Sequence, residues 1–336
     1  MSWSLVLVLG LTFLELNTAF FASGAPKVCL SPTALYGSKR GKPKVKRGAS
    51  PVKPTSRPRT LFDKSSASPP PPSPERKTGN GSESTAAERM AFVSAALTRH
   101  LPSVLEQLSS QGLFVVDGLL GDEVLSAMRL EAEALHASPG EFVPSQSTKW
   151  DDSKQELVSY DKHNVLSTQL VGGEAQYPVA PRLVEWTVTL TQTLAPAVGH
   201  AFPATAPLSS ARQTNKLAVC LGGGSRYDAH VDNQGAGDPR KLTALYYLNP
   251  GEWGAAKGGE FRAFLGDRGD KDSPFEDFAP LGDRLLGFWS DQLVHSVLPS
   301  WAPRGSEDHR YALTVWLCVD DPKFIDMQSQ AAPGQG

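Results

Sequence analysis

At Leu217 the spacing of apolar residues switches from one in every three or four positions to every second position. Before that point Ala91–Leu108, Asp122–His136 and Leu183–Leu194 carry apolar side chains at helical spacing. After it come short runs separated by Gly, Asp and Pro: Leu217–Leu221, Leu242–Leu248, Glu260–Phe264, Arg284–Trp289 and Arg310–Val319. That rhythm belongs to a sandwich or barrel of short strands. The chain is therefore expected to be α+β, with helices buttressing a β core. Pro102 and Pro196 are expected to divide or end their helices, because proline lacks the N–H that helix propagation needs. Gly112–Val116 reads as a short buried strand, and residues 139–180 read as polar and loop-like.

The 336 residues are 40% hydrophobic with a formal net charge of −2, enough apolar matter for a real core and no global field to recruit nucleic acid. The three cysteines, Cys29, Cys220 and Cys318, are too few and too scattered for a disulfide framework or a zinc ribbon. Residues 1–24 read as a signal or targeting peptide around the apolar Leu5–Leu14, followed by small residues. Residues 25–88 read as a disordered linker that is basic and rich in Pro and Ser. These two segments predict entry into the secretory pathway, to the endoplasmic reticulum or outside the cell. A two-part plastid presequence is the alternative, and the Lys39–Arg47 run leaves a nuclear signal as a weaker third. Asn80-Gly81-Ser82 is a glycosylation sequon on a secretory route. Residues 89–210 are assigned as a helical support region, 211–322 as the catalytic core and 323–336 as a flexible tail. No segment is expected to form a stable transmembrane span.

Three polar features interrupt the β-patterned half. His230-Val231-Asp232 follows the glycine loop 222–224, and two residues at i and i+2 on a strand share a face. His295 comes well downstream, and Arg310 opens a strand. Two imidazoles and one carboxylate make a facial triad that leaves positions open on ferrous iron for a bidentate organic acid and O₂. A guanidinium at 310 could then clamp the acid's far carboxylate in paired hydrogen bonds. Alternation from Arg310 puts Ala312, Thr314 and Trp316 on its face, and Thr314 is a candidate cosubstrate contact. Trp289, Leu313 and Trp316 are candidates for apolar packing near the site, with plain core filling the role base rates favour. His100, His136, His163, His200 and His309 carry no such pattern and read as ordinary surface or core residues.

With these residues in view, the stretches HVDNQGAGDPRKLTALYYLN (230–249), GGEFR (258–262), DRLLGFWSD (283–291) and RYALTVW (310–316) resemble prolyl 4-hydroxylases of the hypoxia-inducible-factor type. These are Fe(II)- and 2-oxoglutarate-dependent dioxygenases. The resemblance is dense over 216–320 and fades back to about Gly112. It implies a double-stranded β-helix, or jelly roll, with N-terminal supporting helices. It implies iron ligands at His230, Asp232 and His295, a 2-oxoglutarate clamp at Arg310, and a hydroxyl partner at Tyr247. It also implies O₂ as second cosubstrate, L-ascorbate to keep the iron reduced, a proline-containing protein or peptide as substrate, and succinate and CO₂ as products. An oxygen-sensing role is open, and no oligomeric state is implied. Two departures stand out. Leu221 follows Cys220 where relatives carry Tyr, and an insertion around 303–308 makes Arg304 a rival clamp. Residues 144–166 correspond to the segment that covers substrate in the family, or else to a plain surface connection. Competing readings are the same chemistry on another side chain or a small molecule, a catalytically silent binding module, and a cupin-like metal isomerase or hydrolase.

Overall fold

The computed structural model describes residues 84–324, apart from 152–155, 234, 236, 267–272 and 302–308. The segment read as a targeting peptide (1–24), almost all of the segment read as a linker (25–88), the residues beyond 324 and Arg304 lie outside the described residues. Three long helices among the described residues, interleaved with the first strands, form the support: α1 (Ala86–Gln111), α2 (Asp122–Ala137) and α3 (Pro181–Ala201). A capping box starts α1, with Thr85 and Glu88 each satisfying the other's backbone N–H. Gly112, at φ +72°, ends it in the left-handed region that glycine enters at little cost. Neither internal proline breaks its helix. Val93, Ala96 and Leu97 before Pro102 are buried with Val104 and Leu108 after it, so burial of one continuous face outweighs the missing hydrogen bond. The same holds around Pro196, where Leu194, Ala195 and Val198 are all buried. Arg89–Glu185 (2.6 Å) ties α1 to α3, and Arg182–Glu131 (2.9 Å) ties α3 to α2.

Eleven strands among the described residues form two antiparallel sheets. The larger contains β1 (Leu113–Val116), β2 (Val143–Asp151), β3 (Glu156–Thr168), β4 (Leu208–Cys220), β6 (Arg240–Tyr247), β9 (Leu285–Trp289) and β11 (Arg310–Val319), in the order β1-β9-β6-β11-β4-β3-β2. The smaller contains β5 (Ser225–His230), β7 (Phe261–Phe264), β8 (Phe275–Phe278) and β10 (Val294–Ser300), in the order β5-β10-β7-β8. One face of the large sheet, with Leu217, Val219, Leu313, Val315 and Leu317, packs on the helices. The opposite face meets the small sheet across Tyr247, Phe261, Ala263, Leu286, Phe288 and Ala312. The result is a jelly roll with a helical backing.

Residues 139–180 are not loop-like. They hold the β2–β3 hairpin, and its second strand pairs with β4 from Val165↔Cys220 to Thr168↔Leu217. Among the described residues no helix is long and apolar enough to cross a membrane.

Candidate metal and cosubstrate site

The interior between the sheets ends in a metal-ligand cluster. His230 closes β5 and lies directly across the ladder from His295 on β10, with ring centroids 4.3 Å apart. Asp232 does not share a strand with His230, because β5 stops at His230 and the chain turns into the loop that follows. The carboxylate reaches the imidazoles from that loop. Its Oδ1 lies 3.5 Å from His230 Nε2 and 3.8 Å from His295 Nε2, and one ligand atom from each residue falls within 4.8 Å of the others. A single ion can bridge that spacing.

Hydrogen bonds and burial orient the three side chains for a cation. His230 Nδ1–H donates to Asp228 O (2.8 Å) and His295 Nδ1–H to Leu293 O (3.2 Å), which turns both Nε2 lone pairs inward. Burial, followed by the His230 ring, pushes His295 down to about 3, so it stays neutral. For Asp232 burial acts in the opposite sense, but the surrounding groups, the charged Arg240 among them, more than offset it and keep the carboxylate well below its usual range. Asp232 Oδ2 accepts from Thr243 Oγ1 (2.7 Å) and from Trp316 Nε1 (2.9 Å), leaving Oδ1 to face the imidazoles. Arg240 donates to Asp232 O (2.7 Å) and fixes the loop backbone. Phe261 stacks on His295 (5.1 Å between centroids) and Phe288 flanks it (4.6 Å), walling the imidazole from bulk water.

Arg310 begins β11, is 3% exposed, and lies with its guanidinium carbon 5.2 Å above the Tyr247 ring. Its Nε–H donates to Gly259 O (2.9 Å), and its terminal nitrogens make no hydrogen bond to a described residue. The Tyr247 hydroxyl is fully buried and has no partner there either. An unpartnered phenol beside an unpartnered guanidinium end is the donor set a buried carboxylate requires. A Cβ on Gly259 would come within 2.9 Å of Arg310 Cδ, so the glycine makes room for the clamp. The residues present fit both groups: the triad would hold ferrous iron, and Arg310 and Tyr247 would meet the far carboxylate of 2-oxoglutarate.

A sequence model described as the 2OG-Fe(II) oxygenase superfamily matches residues 216–318, a span that contains every one of these side chains. Residues 216–318 are a 2OG-Fe(II) oxygenase domain. Beyond the domain, the chain is 31% identical over 233 residues to Egl nine homolog 1 of Homo sapiens, covering 68% of this chain and 49% of the relative. It is 43% identical over 106 residues to prolyl hydroxylase EGLN3 of Homo sapiens, covering 31% of this chain and 40% of the relative. The chain thus spans about half the length of the curated relatives it matches. Among solved structures, a prolyl 4-hydroxylase from Phytophthora capsici superposes with a TM-score of 0.52 at 27% identity, covering 73% of this chain and 70% of that one. A prolyl hydroxylase from Trichoplax adhaerens, in complex with a hypoxia-inducible-factor peptide fragment, shares the fold with a TM-score of 0.51 at 22% identity, covering 76% of this chain and 99% of that one.

Within the oxygenase domain several expected roles move. Trp289 packs edge-on against Phe202 in the helix-facing core, and Leu313 lies in that core too, so neither lines the metal. Trp316 does reach the site, as a hydrogen-bond donor to Asp232. Thr314 is buried on β11, paired across the ladder with Lys216 and Leu245. Reading the residues alone missed Thr243, Arg240, Phe261 and Phe288. Period-2 patterning puts Thr243 on a buried strand, and a hydroxyl there was the available signal.

Proposed function

We propose that this protein is an Fe(II)- and 2-oxoglutarate-dependent dioxygenase that hydroxylates proline in a peptide, releasing succinate and CO₂. The observation that carries it is the pairing of a three-ligand cluster within 4.8 Å with an unpartnered Arg310–Tyr247 carboxylate site in the same interior. Ferrous iron bound with 2-oxoglutarate supplies the oxygen-activating chemistry. The chain supplies placement. Arg310 and Tyr247 orient the cosubstrate, Thr243 and Trp316 aim one oxygen of Asp232, and Phe261 and Phe288 exclude water. Nothing in the site calls for a side-chain acid or base. The proline acceptor rests on the relatives, since the ligand cluster selects cosubstrate rather than substrate. L-Ascorbate belongs to the reading as the reductant that rescues iron oxidised without substrate.

The test is mass spectrometry of proline peptides incubated with the full chain, iron, 2-oxoglutarate and ascorbate. A gain of about 16 Da on proline, one oxygen atom, is expected. Oxygen gained on another side chain would redirect the acceptor. Succinate release that is never coupled to any peptide would favour a small-molecule substrate.

A further inference from the structure

Two lysines on the inner wall of the barrel, Lys162 and Lys216, have no hydrogen-bond or ion-pair partner among the described residues. Lys162 stands on β3. Lys216 stands on β4, opposite Thr314, on the face turned toward the ligand cluster. The Lys162 ammonium lies 4.0 Å from the Tyr227 ring centroid. The Lys216 ammonium lies 5.6 Å from the same centroid and 5.6 Å from that of Trp316, whose indole N–H holds Asp232. Neither ammonium makes a hydrogen bond or ion pair to a described residue. Burial pulls both below the ordinary lysine range, and the Lys216 charge pulls Lys162 down further.

Two like charges facing one aromatic ring, each part-buried, repel unless an anion joins them. Among the described residues no carboxylate pairs with either ammonium, although Asp232 acts on both from a distance and Asp228 on Lys162. Asp232 is committed to the metal cluster, Asp228 faces Arg226 (3.4 Å), and Asp161 accepts from Gln146 (3.3 Å). Lys162 lines a cleft of about 230 Å³ together with Tyr160, Arg226, Tyr227, Asp228 and His230, so the cleft leads from the surface to a metal ligand. On the dioxygenase reading, both ends of 2-oxoglutarate already have places, at Arg310 and at the metal. A negative charge entering with the acceptor would then meet both ammoniums.

We infer that Lys162 and Lys216 receive a substrate carboxylate, so that the preferred substrates are peptides bearing Asp or Glu close to the residue oxidised. This inference rests on the peptide-dioxygenase reading above. Lys162 meets the carboxylate from the cleft side and Lys216 from the barrel side, with the Tyr227 ring as the floor between them.

The experiment uses the full chain with Fe(II) and 2-oxoglutarate under anaerobic conditions. Binding is read by fluorescence anisotropy for proline peptides that carry Asp or Glu at one flanking position, each beside its Asn or Gln twin. Oxygen is then admitted and products are read by mass. The wild type should bind at least one acidic peptide about tenfold more tightly than its amide twin, the worth of one charge-assisted contact. The K162M/K216M double variant should lose that ratio, and K162R/K216R should keep it. Twins that bind alike in the wild type, peptides that do not bind at all, or a double variant that weakens both twins equally would each overturn the inference. The proline reading fails separately. Acid preference without oxygen on proline spares the lysine site and removes the prolyl assignment, whereas oxygen on proline without acid preference does the reverse.

Discussion

At the scale of single residues, the two oxygens of Asp232 have different work. One is pinned by Thr243 and Trp316, and the other is left for a cation. Asp232→Ala should abolish the visible charge-transfer band of the anaerobic Fe(II)–2-oxoglutarate complex, read by absorbance, because one of three ligands is gone. Thr243→Val should weaken Fe(II) binding about tenfold with little change in melting temperature, since partners that orient a ligand tune affinity on that order. A metal titration of that variant checks it. Arg310→Ala should raise the KM for 2-oxoglutarate by on the order of a hundredfold through loss of a paired, charge-assisted contact. Steady-state kinetics on 2-oxoglutarate checks that value, and undiminished turnover would instead hand the clamp to Arg304.

At the scale of elements, the close approach of strands to scaffold is set by missing side chains. A Cβ on Gly287 of β9 would lie 2.4 Å from the Phe114 ring of β1. Gly287→Ala should therefore cost about 1–3 kcal/mol of stability by overpacking, measured by denaturant unfolding. Elements with a buried face were legible in the sequence: α2, β6, β9 and β11 fall within a few residues of their expected bounds. The β2–β3 hairpin was not, because it forms the sheet edge and its residues are largely polar, so no burial pattern betrays it. The prolines misled because local propensity was set against a continuous buried face, and the face prevailed. The ligand residues were legible from type and order. That Asp232 leaves the strand was not, since where β5 ends depends on pairing with β10 rather than on local sequence. Phe261 and Phe288 looked like any other core aromatics because their contacts with His295 arise only from tertiary pairing, Phe261 through β7 beside β10 and Phe288 across the two sheets.

At the scale of the molecule, Asp283 joins the halves. It sits at φ +59° at the head of β9. Its carboxylate accepts from Leu120 N (2.8 Å) and Gly121 N (2.6 Å) at the entry to α2, and from Tyr246 Oη (2.6 Å) beside the site residue Tyr247. Asp283→Ala would strand all three donors and should lower stability by about 3 kcal/mol, read by thermal or denaturant unfolding. Global packing also shields Cys318, whose thiol burial pushes up to about 11. At pH 8 it is protonated and enclosed, so alkylation followed by peptide mass mapping should modify it only after unfolding.

Helix α2 has no side-chain cap of its own at Gly121, and borrows one from the far end of the chain. The helical backing and the barrel are consequently not interchangeable modules. A chimera that grafts this barrel onto another protein's helices inherits an uncapped helix or an orphaned acid, and would need a matched carboxylate and entry loop transplanted together.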